Sequence, residues 1–498
     1  MKHQQQRMSC GALLLLALCL QVHAAEPTVS EPPASAADEA RMSRVAQGLS
    51  TRVVVKDSPN RKMAIAERMA FHQVPAVSIA VIDHGQVAWA RAYGVLDAAS
   101  QRPATTTTLF QAASVSKAVS AIGALRLVEQ GKLSLDGAAN RQLSAWQIPG
   151  NGFTQGREVS LRMLLNHSAG LSVHGFDGYE VGQKIPTLLQ VLDGLPPAKS
   201  APVRVEAVPG TAWRYSGGGF SVVQLMMSEA SQQPFEQYMQ ASVLNPLGMT
   251  HSTFAQSLPP GWRELAASGH GADGTAVKGG WHVYPEAAAA GLWTTPTDLA
   301  RVITEVQRAE AGQSNELLSR GMASTMLTRG LGEYGLGFFV ENLGQTTSFS
   351  HSGGTEGFRA QVYGYTRSGQ GAVVMTNGAN GAALIDEILC SIAAEYGWPE
   401  FQVTEKPVAK PDAAANKAVA GTYQLLDKPA QVIAAGEHLY FQSDLFGPKR
   451  MELFPESKTA YFMTAQDMSV RFELKDDGTA AGFSLIRGAN AYPGTKQR

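Results

Sequence analysis

Apolar positions fall into three patterns along this chain, and each predicts a different kind of element. Near the start, Gly11–Leu20 is an unbroken apolar run with four consecutive leucines, preceded by Lys2 and Arg7. The run is well short of the ~20 residues needed to span a bilayer. Val22-His23-Ala24 supplies small residues where a signal peptidase reads, so residues 1–24 read as an export signal cleaved after Ala24. The second pattern is β-prone: Val77–Ile82 and Gln86–Tyr93 flank Asp83-His84-Gly85, a hairpin signal. The third is helical spacing. Val119, Ile122, Leu125 and Val128 lie on one stripe of Lys117–Gln130, which stops at Gly131.

Further helices are predicted at Leu161–Asn166, Gly219–Ser231, Phe235–Leu247, Thr297–Arg308 and Asn315–Leu327, with another over Ala382–Ala394. Strands return at Leu336–Glu341, Arg359–Tyr365 and Gly371–Thr376. Strands, then many helices, then strands is an α+β order rather than a βαβ alternation. Past a Pro-, Lys- and Ala-rich stretch the pattern becomes short strands only. They are Gly421–Leu425, Gln431–Ile433, His438–Gln442, Ala460–Thr464, Val470–Leu474 and Gly482–Ile486. The chain thus divides into a signal (1–24), a flexible leader running into the first domain (25–59), an α+β domain (60–400), a linker (401–417) and a small all-β domain (418–498).

Composition narrows the function classes. Of 498 residues, 41 are Lys or Arg and 42 Asp or Glu, a net charge of −1. A nucleic-acid coat or polybasic membrane clamp needs a surplus of positive charge, so neither is expected. No later stretch is long and apolar enough for a transmembrane segment once the signal is removed. Cleavage would also remove Cys10 and Cys19, leaving Cys390 alone inside an apolar helix, with no internal disulfide to form.

The strongest candidate for chemistry is Ser114-Val115-Ser116-Lys117, at the start of the Lys117 helix. One helical turn puts hydroxyl and ammonium on the same face. A serine hydroxyl is a poor nucleophile until a base takes its proton, and a lysine shielded from water can serve. Taken alone, the spacing also fits an N-capping serine followed by a solvent-facing lysine.

The surroundings extend the pattern. Leu109-Phe110-Gln111-Ala112-Ala113-Ser114-Val115-Ser116-Lys117 is followed by Gln130-Gly131-Lys132-Leu133-Ser134-Leu135-Asp136 and by Leu164-Leu165-Asn166-His167-Ser168-Ala169-Gly170-Leu171. Then come Tyr215-Ser216-Gly217-Gly218-Gly219, the run Ala290–Ala300, Tyr334-Gly335-Leu336-Gly337 and His351-Ser352-Gly353-Gly354. In this order, over roughly residues 60–395, they resemble the penicillin-recognising serine hydrolases: class C β-lactamases, D,D-carboxypeptidases, D-aminopeptidases and related esterases. The resemblance implies a β-lactamase/transpeptidase-like catalytic domain, an antiparallel sheet with an all-helical part. It also implies a C-terminal lipocalin-like β-barrel.

The same resemblance assigns roles. Ser114 is implied as nucleophile, with Lys117 its base or the base's electrostatic partner. Tyr215 matches the tyrosine of the second motif and could relay protons to the leaving group, so the general base stays open between Lys117 and Tyr215. The backbone N–H groups of Ser114 and Gly354 are implied as the oxyanion hole. His351, Ser352, Gly353 and Gly217 are implied as substrate-binding positions, and no cofactor or metal is called for.

Two departures affect the substrate. His351 stands where β-lactamases and carboxypeptidases usually carry Lys, and a mostly neutral imidazole is a poor anchor for a substrate carboxylate. Gly217 replaces the usual Asn, removing a side chain that would hydrogen-bond a substrate amide. The expectation is therefore an exported, periplasmic or secreted, esterase or D-amino-acid peptidase acting on a small-molecule or peptide substrate. A class C-like β-lactamase or D,D-carboxypeptidase is the alternative within the family. A catalytically silent protein binding cell-wall fragments is the alternative outside it. Rival motifs do not develop: Gly217-Gly218-Gly219 has no G-x-x-x-x-G-K-[ST] around it, and His270, His282 and Glu286 form no H-E-x-x-H. His167 reads as a residue that pins a loop.

Overall fold

Val77–Ile82 is buried on both faces, and this strand shows how the α+β part is layered. Val77, Ile79 and Val81 point into one core, while Ala76, Ala80 and Ile82 point into another. Both faces of its sheet are therefore covered, which is why the strand reads as continuously apolar rather than alternating. The computed structural model describes residues 36–497 except 59–61, 344–345, 427, 447–449 and 489. The proposed signal, residues 1–24, lies outside the described residues.

The sheet has six antiparallel strands in the order Gln86–Gly94, Ala76–Asp83, Gly371–Thr376, Phe358–Tyr365, Thr346–Thr355 and Phe339–Leu343. Helices Ala36–Gln47, Ile65–His72 and Gly381–Tyr396 pack on one face through Met42, Val45, Met69, Leu384 and Ile388. Helix Pro296–Glu310 covers the other. Its start is well specified: the Thr295 hydroxyl accepts from Asp298 N–H, and Pro296 fills the first turn. The all-helical part lies beyond that face and holds helices Val115–Glu129 and Gly217–Ser231.

Several elements differ from the sequence expectation for local reasons. Phe235–Leu247 is a short α-helix, Phe235–Met239, continued by a π turn, Gln240–Leu244. The Asn315–Leu327 helix begins only at Arg320, where the Ser319 hydroxyl caps it. The strand expected from Leu336 begins at Phe339, because Gly337 turns the chain first, with φ +93°. A side chain there would also meet the Ala121 methyl at 2.6 Å, so the position needs glycine.

The leader and linker stretches carry structure of their own. Met42, Val45 and Leu49 bury the Ala36–Gln47 segment. Val53–Val55 pairs in parallel with Thr404–Lys406, and helix Ala413–Val419 follows, capped by Asp412. The C-terminal part is a closed eight-stranded antiparallel barrel running from Gly421 to Lys496. The pairing of Tyr423–Leu425 with Gly494–Lys496 closes it. Two of its strands, Met451–Pro455 and Asn490–Lys496, were not expected from the sequence. A cavity of about 680 Å³ lies between the barrel and the α+β domain, lined by Arg52, Arg359 and Asp386 on one side and Arg450, Asp467 and Arg487 on the other. Among the described residues no helix is long and apolar enough to cross a membrane.

Candidate active site

Helix Val115–Glu129 is buried almost all round, so its first turn is delivered into the interior rather than to the surface. Ala113 takes a left-handed φ of 51° and turns the chain sharply into Ser114. Ser114 is the residue before the helix, but its hydroxyl caps no backbone N–H. Lys117 is 2% exposed. An N-capping serine with a solvent-facing lysine is therefore excluded. Lys117 Nζ instead donates to Ser114 Oγ at 3.0 Å and to the Ala289 carbonyl at 2.8 Å. It lies 5.0 Å from the centre of the Tyr215 ring and 5.9 Å from that of Phe220. Ser114, Lys117 and Tyr215 thus converge.

Tyr215 owes its position to a tightly tied segment. The Ser216 hydroxyl caps helix Gly217–Ser231 by accepting from Gly219 N–H at 2.9 Å, and donates to the Ser172 carbonyl. Ser216 N–H donates to His167 Nδ1 at 3.2 Å, and Arg214 N–H to the His167 carbonyl at 2.7 Å. His167 therefore pins the Tyr215 loop, with its ring 4.3 Å from that of Tyr215. Burial and the Lys117 charge hold its pKa well below the ordinary histidine value.

The third motif lies on strand Thr346–Thr355. Gly353 abuts the approach to Ser114: a Cβ there would come within 2.2 Å of the Ala112 carbonyl oxygen. Only glycine lets the strand pass this close, and it carries Ser352 and Gly354, both exposed, along the site. His351 is set beneath the site, 1% exposed. Its Nδ1 donates to the Ser352 carbonyl at 2.6 Å, so its Nε2 is the acceptor for the Tyr334 hydroxyl at 2.9 Å. Desolvation first, and the Lys117 ammonium second, push the His351 pKa down to about 3. The ring is neutral and both nitrogens are engaged, so it presents neither a cation nor a free donor to the mouth.

Gly217 donates to the His174 carbonyl at 3.1 Å. The space a side chain would occupy is taken by Phe176, whose Cε2 lies 2.9 Å from a Cβ built there. The missing Asn is thus replaced by an aromatic wall contributed from the 172–179 loop.

A family model described as Beta-lactamase matches residues 62–389, well over half of the chain. This protein belongs to the beta-lactamase family. Among curated relatives of this beta-lactamase-family chain, Penicillin-binding protein 4* of Bacillus subtilis is 26% identical over 432 residues, covering 82% of the chain and 91% of that protein. Among solved structures, the octameric penicillin-binding protein homologue from Pyrococcus abyssi aligns with a TM-score of 0.59 at 23% identity. It covers 87% of this chain and 98% of its own. D-amino acid amidase from Ochrobactrum anthropi SV3 aligns at 0.55 and 20%, covering 67% and 98%. At such identities these two speak for the fold: a β-lactamase/transpeptidase-like domain of a serine hydrolase family. The barrel at the C-terminus completes the architecture that the motifs implied.

Sequence reasoning did not find the shell around this beta-lactamase-family site. Tyr334 was noted only as part of a motif, yet it is wholly buried between His351 and the rings of His167 and Phe339. Trp213 joins the same aromatic group, 6.2 Å from Tyr215, whereas Trp293 belongs to the core beside Trp281 and Phe358. No group of three or more His, Cys, Asp or Glu able to hold a metal occurs among the described residues. Cys390 is buried, and burial pushes its thiol up to about 12, far from nucleophilic use.

Proposed function

We propose that this protein is an exported serine hydrolase that forms an acyl-enzyme on Ser114 with esters or amides, of the esterase or D-amino-acid peptidase type. The observation that carries the reading is Lys117 Nζ, buried and 3.0 Å from Ser114 Oγ, beside the Tyr215 ring. In the reaction, Ser114 Oγ attacks the carbonyl carbon while its proton passes to the neutral amine of Lys117 or to the phenolate of Tyr215. The oxyanion is received by the N–H groups of Ser114 and Gly354. The proton is then returned to the departing alcohol or amine, leaving an acyl ester on Ser114. Water, deprotonated by the same base, attacks that ester, and the proton goes back to Ser114 Oγ as the acid leaves.

The neutral, engaged His351 favours substrates without a carboxylate at that point, hence esters and aminoacyl amides ahead of β-lactams and D,D-peptides. The likeness to a D-amino acid amidase is in keeping with this. Export rests on the sequence of residues 1–24.

A fluorophosphonate probe should label Ser114, and Ser114→Ala should abolish both labelling and turnover of p-nitrophenyl esters or D-aminoacyl amides, with nitrocefin turned over more slowly. Labelling that survives Ser114→Ala would overturn the nucleophile. Silence of the native protein across the whole panel would leave the cell-wall-fragment binder as the reading.

A further inference from the structure

Glu286 is 1% exposed, and neither carboxylate oxygen has a hydrogen-bond partner. A buried polar group without partners costs roughly 2–7 kcal/mol, an ionised one more, so each such group in a fold calls for an explanation. It lines a small open pocket of about 50 Å³ together with Phe176, Asp177, Tyr179, Lys199 and Ser200. The Ser200 hydroxyl is also buried without a partner. Lys199 does not close the gap: its ammonium donates to the Gly178 carbonyl at 2.7 Å and lies 4.8 Å from the Tyr179 ring.

The pocket is joined to the catalytic residues through two shared elements. Glu286 opens the four-residue helix Ala287–Ala290, whose Ala289 carbonyl receives Lys117. On the opposite wall, the loop that carries Phe176 onto Gly217 also carries His174, whose ring is 4.9 Å from that of Tyr215. A group entering beside Phe176 therefore approaches the loop that packs on Gly217 and Tyr215.

What would satisfy the unpartnered Glu286 and Ser200 oxygens, in a pocket that Phe176 and Tyr179 also line, is a small cation with several N–H donors. An ammonium group supplies three donors, a charge for the carboxylate and a partner for the ring faces. From this geometry we infer that Glu286 and Ser200 form a subsite for a primary ammonium group of the substrate, so that the substrate is an amine-bearing acyl ester or amide. This rests on the hydrolase reading and names its substrate class. Burial holds the Glu286 carboxyl up at about 7, with its own backbone N–H and then Lys199 pulling it the other way, so an arriving cation meets a site already close to ionising.

The test uses p-nitrophenyl esters in amine-bearing and uncharged isosteric pairs of increasing chain length, from alanyl and propionyl to 6-aminohexanoyl and heptanoyl. In the native protein the amine-bearing member of at least one pair should show about tenfold higher kcat/KM, through KM, and Glu286→Gln should bring that ratio to about one. Should the variant not fold, inhibition of propionyl-ester hydrolysis in the native protein gives the same answer. Butylammonium should inhibit about tenfold more strongly than butanol. Hydrolysis with equal rates in every pair, or equal inhibition by the two, overturns the subsite and leaves the hydrolase standing. No hydrolysis of any ester, with Ser114 unlabelled, overturns the hydrolase reading itself.

Discussion

Two buried ionisable groups flank one short helix, and they are treated in opposite ways. At its far end Lys117 is donated to the Ala289 carbonyl and to Ser114, and ring faces surround it. At its near end Glu286 is as deeply buried, and only its own backbone N–H and the Lys199 charge act in its favour. In the first arrangement every lost water is replaced by a carbonyl, a hydroxyl or a π-face. The second leaves the desolvation uncompensated. Two buried groups on the same four residues thus separate a finished site from an unfilled one.

Removing the finished charge should have the largest effect. Lys117→Met should lower kcat/KM on p-nitrophenyl acetate by about a thousandfold or more, read in a stopped assay at fixed protein concentration. The same change takes away the second cause of the low His351 pKa. That pKa should rise from about 3 while staying below the ordinary value, because burial, the larger cause, remains. An unaltered rate would remove Lys117 from the chemistry.

Neutralising the unfilled charge should come next, and it should show in stability. The folded protein holds the Glu286 proton up to about 7, whereas the unfolded chain releases it near 4.5. Stability is therefore greatest below the unfolded value and falls as pH rises through about 7. The groups acting on Glu286 or facing it are Lys199, Asp177, Tyr179 and Tyr284. They are unchanged in Glu286→Gln, so urea melts of the two proteins isolate the carboxyl. Their stability difference should shift by on the order of 3 kcal/mol between pH 4.5 and 8, in favour of the variant at high pH. Parallel pH profiles would mean that Glu286 is solvated or paired in solution.

The smallest effect should come from unpairing a group on the finished side. Tyr334→Phe leaves His351 Nε2 buried without its donor, at a cost of about 1 kcal/mol. A lower thermal midpoint and an altered His351 imidazole 15N shift would report it. An unmoved shift would mean that Tyr334 does not donate to His351 Nε2.

What could be read from the sequence follows the range of the interactions. Ser114 and Lys117 are three residues apart on one helix, and Val77–Ile82 carries its burial in its own composition, so both were legible. The strands Met451–Pro455 and Asn490–Lys496 were not: each contains a proline, and the second alternates weakly. Thr404–Lys406 is polar and largely exposed, and becomes a strand only because Val53–Val55 lies beside it. In the site, the motif predicted a neutral His351 but not that it would turn away from the mouth. Its partner Tyr334 comes from another element, and no local pattern encodes that meeting. Glu286 drew attention only as a metal ligand that lacked companions, since an empty neighbourhood leaves no trace in a sequence.

The parallel pairing of Val53–Val55 with Thr404–Lys406 has a consequence for how such a chain can be built. The strand that leads into the hydrolase and the strand that leads out of it are adjacent rungs of one ladder. All six strands of the sheet thus lie between these two rungs, and the barrel follows them instead of being woven into the sheet. A module attached in this way can be exchanged, trimmed or moved to the other end of the gene while the hydrolase keeps all six strands of its sheet.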